Sequence, residues 1–196
     1  MLGGDCGIEV AAIPALHERY GASLGVLWVD AHADLNTPQS SPSATFHGMP
    51  LRVLLGEGDP AFTALAGRAL APEQVALVGV RDLDAPEQHY IQQHGIASIA
   101  GEELQARPGS PAELLLGRGC QHIYVHLDMD ALEPTEFPFS AMPTAGGLPI
   151  LAVAQMLEHL AQQHALVGLG LTEYASATGE GARQLAPILA HFLRLG

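Results

Sequence analysis

Two acidic clusters far apart in the chain, Asp30-Ala31-His32-Ala33-Asp34 and Asp128-Met129-Asp130, each stand at the end of a short apolar run. The runs, Leu24 to Val29 and Ile123 to Leu127, are bounded, contain β-branched residues and have strand length, as buried strands of a parallel sheet do. Ligands in such sheets bind outside the carboxyl ends of the strands. Alternation along an extended chain points Asp30 and His32 one way, with Asp34 returning as the chain turns, and gives Asp128 and Asp130 a shared face. An Asp after a strand also caps helices and makes turns. D-x-H-x-D and D-x-D together, both after strands, point instead to a two-metal site. Four carboxylates facing one another could not all stay ionised without cations. Oxygen ligands with one or two imidazoles suit Mn²⁺, unlike a zinc-selective thiolate site, and Fe²⁺ or Co²⁺ also fits.

The chain's 196 residues allow one domain with a sizeable core and are too few for two comfortable ones. Strand signals at Leu24 to Asp30, Gln74 to Val80, Ile96 to Ile99, His122 to Asp128 and Ala165 to Thr172 alternate with helical signals. Helices are expected at Ile8 to Tyr20 (interrupted or shifted by Pro14), Leu51 to Leu55, Pro60 to Gly67, Pro86 to His94, Pro111 to Leu116, Ile150 to Gln163 and Gly181 to Leu195. This order predicts an α/β fold with a mostly parallel sheet between helical layers. The polar stretch from Leu35 to Phe46 reads as a binding loop.

Net charge is −13 and no lysine occurs, which argues against a nucleic-acid surface. Two cysteines, Cys6 and Cys120, give no disulfide framework and fit a reducing cytosol. No apolar stretch reaches the roughly 18 residues that span a bilayer, and the start lacks a basic segment followed by an apolar one, so a cytoplasmic protein without membrane partners is expected. Gly3-Gly4-Asp5 follows Met1-Leu2 directly, with almost no strand ahead of it.

The ordered set Gly3-Gly4-Asp5-Cys6, Asp30-Ala31-His32-Ala33-Asp34, His47-Gly48-Met49-Pro50, His126-Leu127-Asp128-Met129-Asp130 and Thr172-Glu173 resembles the arginase, or ureohydrolase, family from the first residues to the last helix. That resemblance implies a three-layer αβα sandwich, two Mn²⁺ ions and hydrolysis of a guanidino group. By the family pattern Asp30 and Asp128 bridge both ions, one of which adds Asp34 and residue 6, the other His32 and Asp130. A bridging hydroxide attacks the guanidinium carbon, His47 carries a proton to the departing amine, and Glu173 holds the guanidinium.

Asn36, Ser41 and Ser43 resemble the loop positions that hydrogen-bond an amino acid α-carboxylate. Asp84 matches the acceptor of the α-ammonium, with Glu87 as a helper. An arginine-like amino acid is therefore expected as the small-molecule substrate in preference to agmatine. Trimers or hexamers are usual for the resemblance, so a homo-oligomer is expected.

The chain departs from the pattern in three places. Cys6 stands where most members have a metal-binding histidine, a change associated with a subset acting on Nω-hydroxy-L-arginine; a tolerated ligand swap, or a buried Cys that does not bind, is the other reading. Glu133 replaces an Asp before Pro134. A first strand, a helix and a substrate-side loop normally precede the Gly-Gly-Asp motif, so the fold is expected to be N-terminally shortened, with a sheet edge near the site. A zinc deacetylase-like enzyme is disfavoured because no His-His pair occurs. Other amidino substrates, such as formimidoylglutamate, and a non-catalytic or regulatory family member complete the alternatives.

Overall fold

The computed structural model describes residues 1–163 and 165–192. Five strands, β1 (Leu24–Val29), β2 (Val75–Val78), β3 (Ala97–Ile99), β4 (His122–Asp128) and β5 (Leu166–Thr172), form one sheet in the order β3-β2-β1-β4-β5. Every pairing is parallel. Central β1 is buried throughout, which explains its unbroken apolar run.

Side-chain alternation divides the core into two layers. Val26 and Trp28 of β1 pack with α1 (Glu9–Tyr20), α2 (Pro50–Leu54), α3 (Pro60–Ala66) and α4 (Ala85–His94). Leu27 and Val29 face α5 (Gly101–Ala106), α6 (Ser110–Gly117), α7 (Ile150–Gln162) and α8 (Ala186–Phe192). The result is the three-layer αβα arrangement. From β1 the sheet grows towards β2 and β3 on one side and towards β4 and β5 on the other. The direction of winding therefore reverses between β1 and β4, and such a switch point opens a crevice at the carboxyl ends of the strands. Asp30 and Asp128 stand at its floor.

Some local expectations change. Pro14 sits inside a continuous α1. One missing backbone donor is tolerated there because Val10, Ile13 and His17 anchor the helix in the core. Helix α5 is an addition, short and with Leu104 as its buried residue. The last helix starts at Ala186 instead of Gly181, since Gly179 and Gly181 take left-handed conformations in the preceding turn. Its expected end at Leu195 lies outside the described residues. Met1–Gly3 pairs along β5: the terminal ammonium donates to Leu169 O at 2.6 Å, and Gly3 N to Leu171 O at 3.0 Å. Among the described residues no helix is long and apolar enough to cross a membrane.

Candidate metal centre and substrate cleft

The carboxyl end of β1 delivers Asp30 into a nearly closed environment. Its backbone N–H still pairs with Val78 O, its Oδ2 accepts from the Trp28 indole at 3.1 Å, and its Oδ1 accepts from His32 N at 2.8 Å. The chain then turns sharply, and Asp34 takes a positive φ of 53°, an uncommon conformation for a non-glycine residue. Glu173, just past β5, does the same at 59° and ties its N–H to Gly4 O at 2.7 Å. Two of the three such non-glycine residues among the described residues thus carry site carboxylates.

Asp128 ends β4, but Asp130 does not continue the strand. Residues Met129–Ala131 form one 3-10 turn, fixed by Asp130 N donating to Asp128 Oδ1 at 2.7 Å. The simple alternation expected for this pair is therefore wrong in detail, although the turn still brings Asp130 to the site. His32 Nδ1 lies 3.1 Å from Asp130 Oδ2 and 3.5 Å from Asp30 Oδ1. Cys6, in the 3-10 turn before α1, donates through Sγ to Asp128 Oδ2 at 2.9 Å and is buried.

Among the described residues, ligand-type atoms gather in three overlapping groups, each with atoms within 4.8 Å of one another: Cys6, Asp30, Asp34 and His126; Asp30, His32 and Asp130; and Cys6, Asp128 and Glu173. Asp30 belongs to two of them, as a bridging carboxylate would. Burial and neighbouring carboxylates push Asp34 and Asp128 well above the usual carboxylate range and Asp130 to about 6. The Cys6 thiol is also raised, first by burial and then by Asp34, Asp128 and Asp30. Hydrogen bonds to Asp130 and Asp30 lift His32 to about 11. Burial pulls His126 down, but attraction to Asp30 and Glu9 prevails and raises it to about 10. The cluster thus has too much negative charge for its depth. Among the described residues, Asp34 Oδ2 is buried without a hydrogen bond. An orphaned carboxylate oxygen and an oxygen-rich donor set with imidazole and thiol fit divalent metal ions.

Above this floor is a cleft of about 250 Å³. Cys6, Asp30, His32, Asp34, Asn36, Ser41, Ser43, His47, Asp84, Glu87, Asp128, Asp130 and Glu173 all line it, so every residue given a role from the sequence reaches one place. His47 Nδ1 is 3.4 Å from Glu173 Oε1. Asn36 Nδ2 donates to Asp84 Oδ2 at 2.8 Å, joining the two sides of the mouth. Ser41 and Ser43 stand 3.3 Å apart through their hydroxyls. Glu87 is more committed than a free helper would be: Leu35 N and Asp84 N donate to its two oxygens.

Three residues were not given roles from the sequence. Arg81 donates to the backbone carbonyls of Gly79, Asp130, Thr144 and Ala145, tying β2's exit to the Asp130 turn. His126 and Glu9 form a buried pair beneath Asp30. Alternation from Asp128 could have found His126. Glu9 gives no local signal, because its partners lie far along the chain.

A sequence profile described as the arginase family matches residues 1–194. The chain belongs to the arginase family. Its identity to the arginase of Staphylococcus aureus strain COL is 37% over 178 residues, covering 88% of this chain and 59% of that protein. The Bacillus caldovelox arginase structure superposes with a TM-score of 0.87 at 32% identity, covering 99% of this chain and 67% of that one. An Entamoeba histolytica arginase, solved in complex with L-ornithine, gives 0.86 at 25% identity, with 99% and 67% covered. This arginase-family chain thus spans less than two thirds of the curated relatives it matches.

Proposed function

We propose that the chain is a binuclear-metal hydrolase that cleaves the guanidino group of L-arginine to urea and L-ornithine. The observation that carries this reading is one cleft with a buried carboxylate floor, a Glu173–His47 pair above it, and an Asn36–Asp84 link with Ser41 and Ser43 at the mouth. A zwitterionic amino acid with a cationic planar side chain complements that sequence of groups. The L-ornithine held by the Entamoeba relative has the product's chemistry.

Two divalent ions at the floor, Mn²⁺ or else Fe²⁺ or Co²⁺, would neutralise the carboxylates and lower the pKa of water to supply a nucleophile at neutral pH. Glu173 accepts N–H groups of the guanidinium and sets its plane. His47 gives a proton to the departing amine, which leaves as ornithine. Asn36, Ser41 and Ser43 donate to the α-carboxylate, while Asp84 accepts from the α-ammonium. Glu87 holds the Asp84 backbone in place.

Cys6 favours a second reading. Its sulfur groups with Asp30 and Asp34, and a thiolate there would soften one metal site. Nω-hydroxy-L-arginine, which would release hydroxyurea and the same ornithine, is the matching alternative substrate. Ornithine release by the chain loaded anaerobically with Mn²⁺ tests both. Turnover of either substrate is expected, with little urea released from agmatine, and the preferred one assigns the meaning of Cys6. Metal-loaded protein inactive on both would leave the non-catalytic family member.

A further inference from the structure

His126 points into the same side of the sheet as Asp128, two residues later on β4. It pairs in register with Trp28 on β1 and with Gly170 on β5. Its ring stacks on the Trp28 indole with centroids 3.7 Å apart, which fixes its plane. Glu9 Oε1 lies 3.0 Å from Nδ1, and the other Glu9 oxygen accepts from Tyr124 Oη at 2.8 Å. A carboxylate that takes the Nδ1 hydrogen leaves Nε2 to face Asp30, Asp34 and Cys6. Such a carboxylate–imidazole pair is the usual way in which a protein orients a metal-binding histidine.

Nε2 is fully buried and has no hydrogen bond among the described residues. It stands 3.6 Å from Asp30 Oδ2, longer than a hydrogen bond. Ligands on a tetrahedral ion with bonds of about 2.1 Å are about 3.4 Å apart, close to this spacing. Asp34 Oδ2, in the same group of four, is the second buried atom without a partner. Two orphans therefore converge on one cation-sized position.

Resting on the two-metal reading of the cleft, we propose that His126 is a nitrogen ligand of the ion held by Cys6, Asp30 and Asp34, with Glu9 as its orienting carboxylate. The site then has an imidazole where residue 6 supplies none, and its thiol, imidazole and carboxylate donors suit a softer cation than the oxygen-rich site of Asp30, His32 and Asp130.

The test is NMR of the full chain labelled with ¹⁵N-histidine and loaded with ¹¹³Cd²⁺, a diamagnetic probe whose coupling to nitrogen reports a direct bond. Two imidazoles coupled to cadmium are expected, from His32 and His126. In a His32→Gln/His47→Gln variant, which changes only partly exposed histidines, one coupled imidazole should persist beside the thiolate-shifted cadmium signal of Cys6. That cadmium signal without any coupled imidazole would overturn the proposal and leave the two-metal reading standing. A wild-type chain that takes up no cadmium would remove both. In a second arm, Glu9→Gln should weaken cadmium binding at the Cys6 site about 10- to 100-fold, as loss of an orienting partner does.

Discussion

Glu173 lines the cleft in a left-handed backbone conformation, and the surrounding contacts explain why it can. Its N–H is tied to Gly4 O, its carbonyl accepts from Ala141 N, and its carboxylate faces His47. A residue so held presents its carboxylate at a fixed angle, which is what recognition of a planar cation needs. Charge-assisted hydrogen bonds contribute about 1.5–3 kcal/mol each. Glu173→Gln should therefore lower kcat/KM for L-arginine by roughly 10- to 100-fold while metal content stays unchanged. Because Glu173 also groups with Cys6 and Asp128, loss of bound metal in this variant would identify it as a ligand instead. Asp30, His32, Asp34, Asp128 and Asp130 were legible because their motifs sit at strand ends, whereas Cys6, Asn36, Ser41, Ser43, His47, Asp84, Glu87 and Glu173 were read from the resemblance to the family. Glu9 was legible in neither way, since its meaning depends on Tyr124 and His126 across the fold.

Strand β5 shows how an element is shaped by what its neighbours bury. Its sequence, Leu-Val-Gly-Leu-Gly-Leu-Thr, places glycine at alternate positions on the face towards α1. A Cβ at Gly170 would stand 2.0 Å from Glu9 Oε1 and 2.6 Å from Tyr124 Oη; one at Gly168 would stand 2.6 Å from the Tyr124 ring. The missing side chains make room for the Glu9 pair. Gly170→Ala should destabilise the fold by about 1–3 kcal/mol, as overpacking does, read as a lower denaturant midpoint with an unchanged slope. An unaltered midpoint would show that Glu9 can retreat at little cost. Strands β1 and β4 were readable as apolar runs because both faces are buried. Helix α5 was not, for it is short and opens on Gly101, and the Asp130 turn was missed because alternation stops at Asp128.

At the scale of the molecule, the reversal of winding between β1 and β4 concentrates carboxylates from distant segments at one buried place. A chain already at net charge −13 tolerates this only with protons or metal cations among them. Protons and metal therefore compete. Asp34 and Asp128 are raised well above the usual carboxylate range, and with Asp130 raised to about 6, lowering the pH through about 6 adds a proton to Asp130 and weakens metal binding. The fold class was legible from the alternation of strand and helix signals, whereas the depth of this charge was not, because burial is a property of the packed layers. The measurement that bears most directly on the account is Mn²⁺ bound per chain at equilibrium, at about pH 8 and about pH 5, for the wild type and Asp30→Ala. Two ions at the higher pH, most of them released at the lower, and none in the variant is the predicted result. One ion or fewer at the higher pH, or equal uptake by Asp30→Ala, would contradict the two-metal centre.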